Sequence, residues 1–403
     1  MFILKKRIIF IFLITIFIIF VIVFVKKIYK NYLIDHAVKK VILEKEEIDV
    51  FDDVYLKDII KSINGKIIDD FKIDTTKVGL KEINFKYKNS QDIVIPYTIY
   101  INIVDRVAPI ISQPKVYSVI KNSISNDELE KKFFCGDNYD DNPICTLTGN
   151  YDLSEVGDYE VTLTGKDSSS NVSQSTFVLR VVENNKSQSP SNNSFTDFND
   201  IVKKYKNEKT KIGIDVSHWQ GNINFSKLKN SGVEFAYIRV GRGDGIGKSY
   251  VLDEKFYRNI EGFNKVGIPV GVYFYSYANS REDAQKEAKW VISKLKKYNV
   301  ELEIVFDWEN WGSFREFDLS FYHLTDAAMA FVDTVSKYGY RGMVYSSKNY
   351  LENIWFPLDS DVWLAHYTDN TDYTGKYKVW QICNNGKVNG IKDNLVDIDI
   401  MYK

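Results

Sequence analysis

Residues 212–240 read IGIDVSHWQGNINFSKLKNSGVEFAYIRV and set the pattern of the second half of the chain. Two short apolar runs, IGIDVS and VEFAYIRV, flank a polar stretch in which apolar residues recur at helical spacing. Short apolar runs are typical of strands buried on both faces, and the stretch between them is typical of an amphipathic helix. The segment therefore predicts a β-α-β unit.

The same alternation continues towards the C-terminus. The apolar runs IPVGVYFYSY, LEIVFDWE and RGMVYSS each follow an amphipathic stretch, whereas DVWLAHY, KVWQIC and LVDIDIM leave little room for helices between them. Alternating strands and helices predict a parallel sheet with right-handed crossovers. Residues 211–403 are therefore expected to form an α/β, TIM-like (β/α) barrel whose last strands lack full helices.

Carboxylates recur on the predicted strands. Asp215 ends the first strand, Asp307 and Glu309 end the fourth, and Asp397 and Asp399 lie on the eighth. Active sites of such barrels lie at the C-terminal ends of the strands. Acids on three strands are therefore expected to converge on one site.

Asp307 and Glu309 form a pair because side chains alternate along a strand, which puts Trp308 on the opposite face. Partial burial and like-charge repulsion raise the pKa of one member of such a pair. Acid catalysis of glycoside cleavage needs this combination of a protonated carboxyl beside an ionised carboxylate. A loop with solvated acids is the alternative, and the recurrence of acids on other strands argues against it.

The predicted strands and the segments between them resemble the family 25 glycoside hydrolases, the Chalaropsis-type lysozymes. The resemblance covers about 211–403 in the correct order and implies cleavage of the β-1,4 bond between N-acetylmuramic acid and N-acetylglucosamine in peptidoglycan. The matching pieces are GIDVSHWQGNINFSKLKNSGVEFAYIRVGRG (213–243), DEKFYRNIEGFNKVGIPVGVYFYSYA (253–278), IVFDWE (304–309), WLAHYT (363–368), VWQIC (379–383) and LVDIDIM (395–401).

The resemblance also implies catalytic roles. Glu309 of the D-x-E motif is the expected general acid, and Asp307 is expected to orient and polarise either Glu309 or the 2-acetamido group of the substrate. Asp215 and Asp397 complete the acidic floor. Retention with the acetamido oxygen as nucleophile and inversion through an activated water both remain open.

Aromatic and polar side chains on these strands are candidates to bind the sugar, with barrel packing as their alternative role. Arg239, at the end of the second strand, is a candidate to bind a glycan carboxylate or to pair with Asp215. The candidate substrate-binding residues are Tyr273, Tyr275, Trp363, Tyr367, Arg239 and Gln381.

The first half of the chain contains an internal repeat, because residues 73–105 align with residues 151–183 at a constant offset without a gap. Each copy alternates apolar and polar residues across two strands joined by a polar turn. The repeat predicts two all-β, immunoglobulin-like sandwich modules, over residues 31–107 and 108–184. Residues 185–210, rich in serine and asparagine at their centre, predict a linker.

Three cysteines are too few for a disulfide scaffold. Cys135 and Cys145, in the second repeat, are expected to form a bridge outside the cell, with unpaired thiols as the alternative. Cys383 is expected to be buried and to pack in the core. The acidic residues between Cys135 and Cys145 are expected to be solvated rather than to bind calcium, and the scattered histidines lack metal-ligand spacing. No metal or cofactor is expected.

An uncharged apolar run, IIFIFLITIFIIFVIVFV, spans residues 8–25 between two groups of basic residues. Its length is close to the thickness of a bilayer core, and no A-x-A-like cleavage site follows it. It predicts a cytoplasmic tail and an uncleaved, single-pass transmembrane signal anchor within residues 1–30, with the later domains outside the cell. A cleaved signal peptide is the alternative.

Composition narrows the function. Charged residues make up 27% and aromatic residues 15% of a chain with a formal net charge of −1, which is typical of folded protein and does not indicate a nucleic-acid partner. The expected partners are peptidoglycan glycan strands and, through the N-terminal helix, the bacterial plasma membrane. The chain is therefore predicted to be a membrane-anchored extracellular muramidase that remodels or opens the cell wall. A catalytically inactive peptidoglycan-binding protein, or an adhesin on an immunoglobulin-like stalk, is the alternative.

Overall fold

In the computed structural model the chain separates into two compact units, Met1–Arg106 and Val107–Lys403, each of which is described by itself. Residues 184–194, the last residue of the second predicted module and the first part of the predicted linker, lie outside the described residues. The structure describes residues 2–35, 40–183, 195–392 and 394–403.

The first unit begins with helix α1, Phe2–Asp35. Within the described part of the chain, no helix combines the length and the apolar character needed to cross a membrane. This finding overturns the predicted transmembrane anchor.

The first β module follows α1. Its long antiparallel hairpin pairs Ile83 with Ile99 and Phe85 with Tyr97, and alternate residues are buried along both strands. In the described residues the strands form a four-stranded sheet in the order β2-β6-β5-β4 and a separate antiparallel pair, β1-β3, with a 3₁₀ turn at Leu56–Ile59. The strands are β1 Val41–Leu43, β2 Glu47–Asp49, β3 Ile60–Ile63, β4 Lys66–Ile67, β5 Gly79–Lys88 and β6 Val94–Val104.

The second β module opens the second unit and repeats this design. In the described residues it has a four-stranded sheet in the order β10-β11-β12-β8, a separate pair, β7-β9, and a short helix, α2, Asn126–Glu130. Strands β11 and β12 of its hairpin begin and end at the residues that align with the ends of β5 and β6 in the sequence repeat. The strands are β7 Ile110–Ile111, β8 Val116–Ile120, β9 Cys135–Gly136, β10 Ile144–Gly149, β11 Gly157–Lys166 and β12 Val172–Val182.

The predicted immunoglobulin-like sandwich of two full sheets is not confirmed for either module. Opposite each four-stranded sheet, the described residues provide only a two-stranded pair with strands of two to four residues. Strands this short make few ladder hydrogen bonds, so they do not build a second sheet. Cys135 and Cys145 form a disulfide in the second module, with their Cα atoms 6.1 Å apart.

The rest of the second unit contains the barrel strands and their helices. The strands are β13 Thr196–Asp197, β14 Thr210–Val216, β15 Ala236–Gly243, β16 Tyr250–Leu252, β17 Val270–Tyr275, β18 Ile304–Asp307, β19 Gly342–Ser347, β20 Asp361–Ala365, β21 Val379–Lys387 and β22 Val396–Tyr402. The helices are α3 Phe198–Tyr205, α4 Phe225–Asn230, α5 Phe256–Val266, α6 Arg281–Leu295, α7 Phe321–Lys337 and α8 Lys348–Asn353, with 3₁₀ turns at His218–Gln220 and Trp311–Phe317.

Among the described residues, eight strands close into a barrel in the order β14-β15-β17-β18-β19-β20-β21-β22, and β22 returns to β14. Neighbouring strands from β14 to β21 are parallel, but β22 is antiparallel to both β21 and β14. The barrel thus differs from the all-parallel, TIM-like barrel that the sequence predicts. The reason is the short connection 388–395, because a parallel neighbour would need a crossover of a dozen or more residues.

Side-chain alternation on the strands separates two cores. On β18, Ile304 and Phe306 belong to the cluster between strands and helices, whereas Val305 belongs to the cluster inside the barrel with Tyr237 and Trp363. The same alternation turns the next residue on this strand, Asp307, inward.

Residues 195–210, assigned to the linker from the sequence, add elements to the barrel. Strand β13 pairs with β21, and Asp197 caps helix α3 by accepting a hydrogen bond from the Asn199 N–H. Phe198 and Ile201 on α3 are buried in the barrel core. Cys383, on β21, is also buried there.

Candidate active site

The four acids that the sequence singles out lie at one end of the barrel. Asp215 is near the C-terminal end of β14, Asp307 ends β18, and Glu309 follows two residues later. Asp397 is near the start of β22, and it faces Asp215 in the antiparallel register. Because β22 runs in the opposite direction, its start meets the C-terminal ends of the parallel strands.

A cavity of about 240 Å³ lies between these acids. It is lined by all four acids together with aromatic and amide side chains, most of them from β17, β19, β20 and β21. Its walls are formed by Asp215, Tyr273, Asp307, Glu309, Tyr345, Trp363, Tyr367, Gln381, Asn384 and Asp397.

The Asp307 and Glu309 carboxyls both line the cavity and interact electrostatically. Trp308 between them points to the other side of the strand, where it is fully buried against Phe314 and Trp355. Burial and the neighbouring Glu309 hold the pKa of Asp307 well above its usual range. Glu309 is an exposed residue, yet desolvation where its carboxyl lines the cavity raises its pKa as well. This pair of carboxyls therefore retains a proton to higher pH than free carboxyls do.

Asp215 and Asp397 form a second pair of acids across the cavity. Burial, followed by the Asp397 and Asp399 carboxyls, holds the pKa of Asp215 well above its usual range. Burial and the Glu309 carboxyl raise the pKa of Asp397 to about 6. The site thus contains acids that lose their protons at different pH values.

Gln381 connects the aromatic wall to the acids. Its amide nitrogen donates to the Asp215 carboxylate at 2.8 Å, and its amide oxygen accepts from the Tyr345 and Tyr367 hydroxyls, each at 2.9 Å. These bonds fix the orientation of both tyrosines and of Asp215. The sequence predicted Gln381 and Tyr367 as site residues but not Tyr345, whose inward position on β19 required the barrel register.

The other predicted aromatic residues have different environments. Tyr273 and Trp363 line the cavity, but Trp363 is only 1% exposed, stacks on Tyr237 at 4.6 Å and donates to the Asp399 carboxylate at 2.9 Å. It is therefore a wall of the barrel interior. Tyr367 is 52% exposed and presents its ring to solvent at the mouth.

Tyr275 lies beside the cavity rather than in its wall. Its hydroxyl donates to the Asn310 side-chain oxygen at 3.1 Å, and the Asn310 amide donates to the Ser276 carbonyl at 2.9 Å. Since Asn310 directly follows Glu309, these bonds hold the segment after β18 that carries Glu309. The sequence missed Asn310, although its position after the D-W-E motif was a signal for it.

Arg239 pairs with Asp253 rather than with Asp215. Its Nε atom lies 3.0 Å from the Asp253 carboxylate, which also accepts from the His218 backbone N–H at 3.0 Å. The Asp253 side chain is fully buried, so this ion pair ties the loop after β14 to β15. Trp219 on that loop is 68% exposed, and the sequence did not place it among the binding residues.

Residues 214–391 match the model of the glycosyl hydrolases of family 25. The barrel is a family 25 glycosyl hydrolase domain. The match begins one residue before Asp215 and includes Asp307 and Glu309, whereas Asp397 lies beyond its end. The residues before 214, including both β modules, are not covered by the family 25 match.

The family 25 domain also resembles two curated relatives. The chain is 40% identical to lysozyme M1 of Streptomyces globisporus over 68 residues, which are 17% of this chain and 21% of that protein. It is 28% identical to the autolytic lysozyme of Clostridium acetobutylicum over 191 residues, which are 46% of this chain and 54% of that protein. The chain thus spans about half or less of the length of these relatives.

Among solved structures, the chain resembles the modular autolysin LytC of Streptococcus pneumoniae in complex with a synthetic peptidoglycan ligand. The identity is 24% and the TM-score is 0.44, over 60% of this chain and 56% of that chain.

Proposed function

We propose that the family 25 domain is a muramidase that hydrolyses the β-1,4 bond between N-acetylmuramic acid and N-acetylglucosamine in peptidoglycan. The observation that supports this most is the cavity lined by Asp215, Asp307, Glu309 and Asp397, with raised pKa values for all four carboxyls. A glycan-binding protein has no need of several protonated acids around one cavity, whereas glycoside cleavage requires a proton donor beside a carboxylate.

Glu309 is the proposed general acid. It is the exposed member of the Asp307–Glu309 pair, so its carboxyl reaches a glycan in the cavity, and desolvation raises its pKa, which favours the protonated form that a proton donor needs. Glu309 donates this proton to the leaving oxygen. Asp307 lies deeper, and its carboxyl, which interacts with that of Glu309, orients the acid.

The proposed mechanism completes the reaction by one of two routes. In the first, the acetamido oxygen of the substrate attacks the anomeric carbon as the glycosidic bond breaks and the protonated leaving oxygen departs, and water then opens the cyclic intermediate; Asp307 or Asp215 polarises the acetamido group. In the second, a carboxylate activates water, and Asp397, with a pKa of about 6, is ionised for this role above that pH. The anomer first released, read by NMR, distinguishes retention from inversion.

The mouth of the cavity is the proposed sugar-binding surface. The exposed ring of Tyr367 offers an apolar face to a sugar ring, and its orientation is set by the hydrogen bond to Gln381. Tyr273 contributes a second aromatic wall deeper in the cavity.

We also propose that the enzyme acts outside the cytoplasm, where it remodels or opens the cell wall. Two observations support this location. The proposed substrate lies outside the cytoplasm, and the Cys135–Cys145 disulfide is the kind of bond that persists in oxidising compartments.

Digestion of purified peptidoglycan by the full chain tests the proposed function, with products analysed by mass spectrometry. We expect muropeptides with N-acetylmuramic acid at the reducing end. Products with N-acetylglucosamine at the reducing end would show that the enzyme cleaves the other glycosidic bond of the glycan strand. The absence of any released reducing ends would refute hydrolysis and leave glycan binding as the function.

A further inference from the structure

The second β module contacts the barrel immediately after the catalytic pair. The contacting segment, residues 134–145, is called the docking loop here, and the Cys135–Cys145 disulfide closes it. On the barrel side, the 3₁₀ turn Trp311–Phe317 begins two residues after Glu309 and leads into helix α7.

The docking loop caps the N-terminus of helix α7. The first N–H groups of a helix have no partner within the helix. Here the Phe321 N–H donates to the Asp137 carbonyl at 2.8 Å, and the Ser320 N–H donates to the Asp141 carboxylate at 2.6 Å. The Asp141 carboxylate also contacts His323 Nδ1 at 2.7 Å, and a negative charge is favourable at this end of a helix. The barrel helix, whose N-cap residue is its own Ser320, thus takes further hydrogen-bond partners for its N-terminus from the module.

Aromatic packing extends this contact to the catalytic strand. The ring of Phe134 lies 5.2 Å from that of Trp311, which stacks on Phe314 at 5.4 Å. Phe314 in turn lies 5.7 Å from Trp308, the residue between the two catalytic acids. A continuous line of packed rings therefore leads from the docking loop to the back of the catalytic pair.

Gly136 shows how closely the second β module approaches the barrel. A Cβ atom on this residue would lie 2.5 Å from the Phe321 ring and 2.8 Å from the Phe314 ring. The absence of a side chain at this position lets the module backbone rest directly on the rings that support Trp308.

We propose that the docking loop positions the Asp307–Glu309 pair for catalysis, with Asp141 and Phe134 as its positioning residues. This proposal rests on the proposed function. The loop supplies no group to the cavity. It holds the segment that follows Glu309 and the rings behind Trp308, and a displacement of about 1 Å in a catalytic group can lower turnover by about a hundredfold.

Steady-state kinetics of the full chain on soluble peptidoglycan fragments test the proposal, with thermal unfolding measured in parallel. Asp141→Ala removes the acceptor of the Ser320 N–H and the contact with His323, so we expect kcat to fall roughly tenfold with KM within about twofold. Asp141→Asn keeps an oxygen that accepts from the Ser320 N–H, so it should restore most of kcat. Asp158→Ala is the matched control, because Asp158 pairs with Arg180 within the module's own sheet.

A second variant approaches the same contact from the barrel. His323→Ala leaves the docking loop unchanged and removes the partner of Asp141, with an expected loss in kcat of roughly threefold. If Asp141→Ala does not fold, His323→Ala decides the question. A folded variant with wild-type kcat, or with a change in KM alone, would overturn the positioning role. An inactive wild-type chain would refute the proposed function, and this proposal with it.

Discussion

Burial and the adjacent Asp307 carboxyl shift the pKa of Glu309 in opposite directions. Desolvation in the cavity raises the pKa of Glu309, whereas the hydrogen bond from Asp307 partly opposes that increase. Asp307 is more deeply buried and retains its own proton more strongly. The pair therefore places one carboxyl, that of the proposed proton donor Glu309, at the exposed position and a second carboxyl beneath it.

Glu309→Gln keeps the shape and the polar contacts of Glu309 but cannot donate a proton to the leaving oxygen. Since positioned acid catalysis contributes about 10²–10⁴-fold, we expect kcat on peptidoglycan to fall by roughly that factor. Asp307→Asn should also slow turnover, because it removes the carboxyl that orients the acid. If the folded Glu309→Gln variant released reducing ends at the wild-type rate, Glu309 would not be the general acid, and Asp215 or Asp397 would be the remaining candidates.

A buried acid outside the cavity makes the stability of the barrel depend on pH. Burial raises the pKa of Glu287, on α6, from 4.5 to about 8, and this side chain contacts the Ser276 hydroxyl and the Tyr277 N–H. Between these two pKa values the unfolded chain releases the proton while the native state retains it. Stability should therefore fall as pH rises from about 4.5 to about 8, by up to about 5 kcal/mol.

Glu287→Gln removes this dependence because the amide is neutral in both states. The free energy of unfolding of the variant, measured by urea denaturation at pH 5 and pH 8, should change less between the two pH values than that of the wild type. An equal change in both proteins would show that Glu287 titrates normally in the native state.

At the scale of the elements, the barrel interior depends on small residues next to large rings. Tyr237 on β15 lies against β17 at Gly271, where the residue has no side chain to occupy the same space. The hydroxyl of Tyr237 then reaches the buried carboxylate of Glu303 at 2.7 Å. The spacing of strands β15 and β17 is therefore adapted to one aromatic ring.

Gly271→Ala tests this packing. The added Cβ would lie 2.2 Å from the Tyr237 ring and 2.9 Å from the Glu303 carbonyl, so a strand has to shift. Overpacking of this kind costs about 1–3 kcal/mol, measurable as a lower urea midpoint. Gly312→Ala is the control, since a Cβ there meets no atom within 4 Å. Equal midpoints for the two variants would contradict the packing argument.

At the scale of the whole molecule, the catalytic cavity and the docking loop both belong to the unit Val107–Lys403. The remaining unit, Met1–Arg106, contributes no residue to the cavity that the structure describes. Catalysis on a soluble substrate should therefore need only the second unit.

Two truncations test this division. Residues 107–403 should retain kcat within about twofold of the full chain, because the acids and their supports are complete. Residues 195–403 lack the docking loop, so their kcat should fall roughly tenfold if they remain folded. Equal activity of the two fragments would contradict the positioning role, and an inactive 107–403 fragment that folds would assign a catalytic role to the first unit.

The sequence by itself determined the local features of this protein. The period-two pattern of D-W-E placed Asp307 and Glu309 on one face, and the repeat located two equivalent hairpins, because both depend on residues close together in the chain. The tertiary structure decided what depends on distant pairing. The antiparallel direction of β22 brings Asp397 to Asp215, and Arg239 finds Asp253 instead of Asp215. Contacts between distant segments, such as the hydrogen bond from the Ser320 N–H to Asp141, leave no periodic signal in the chain, since only folding brings their residues together.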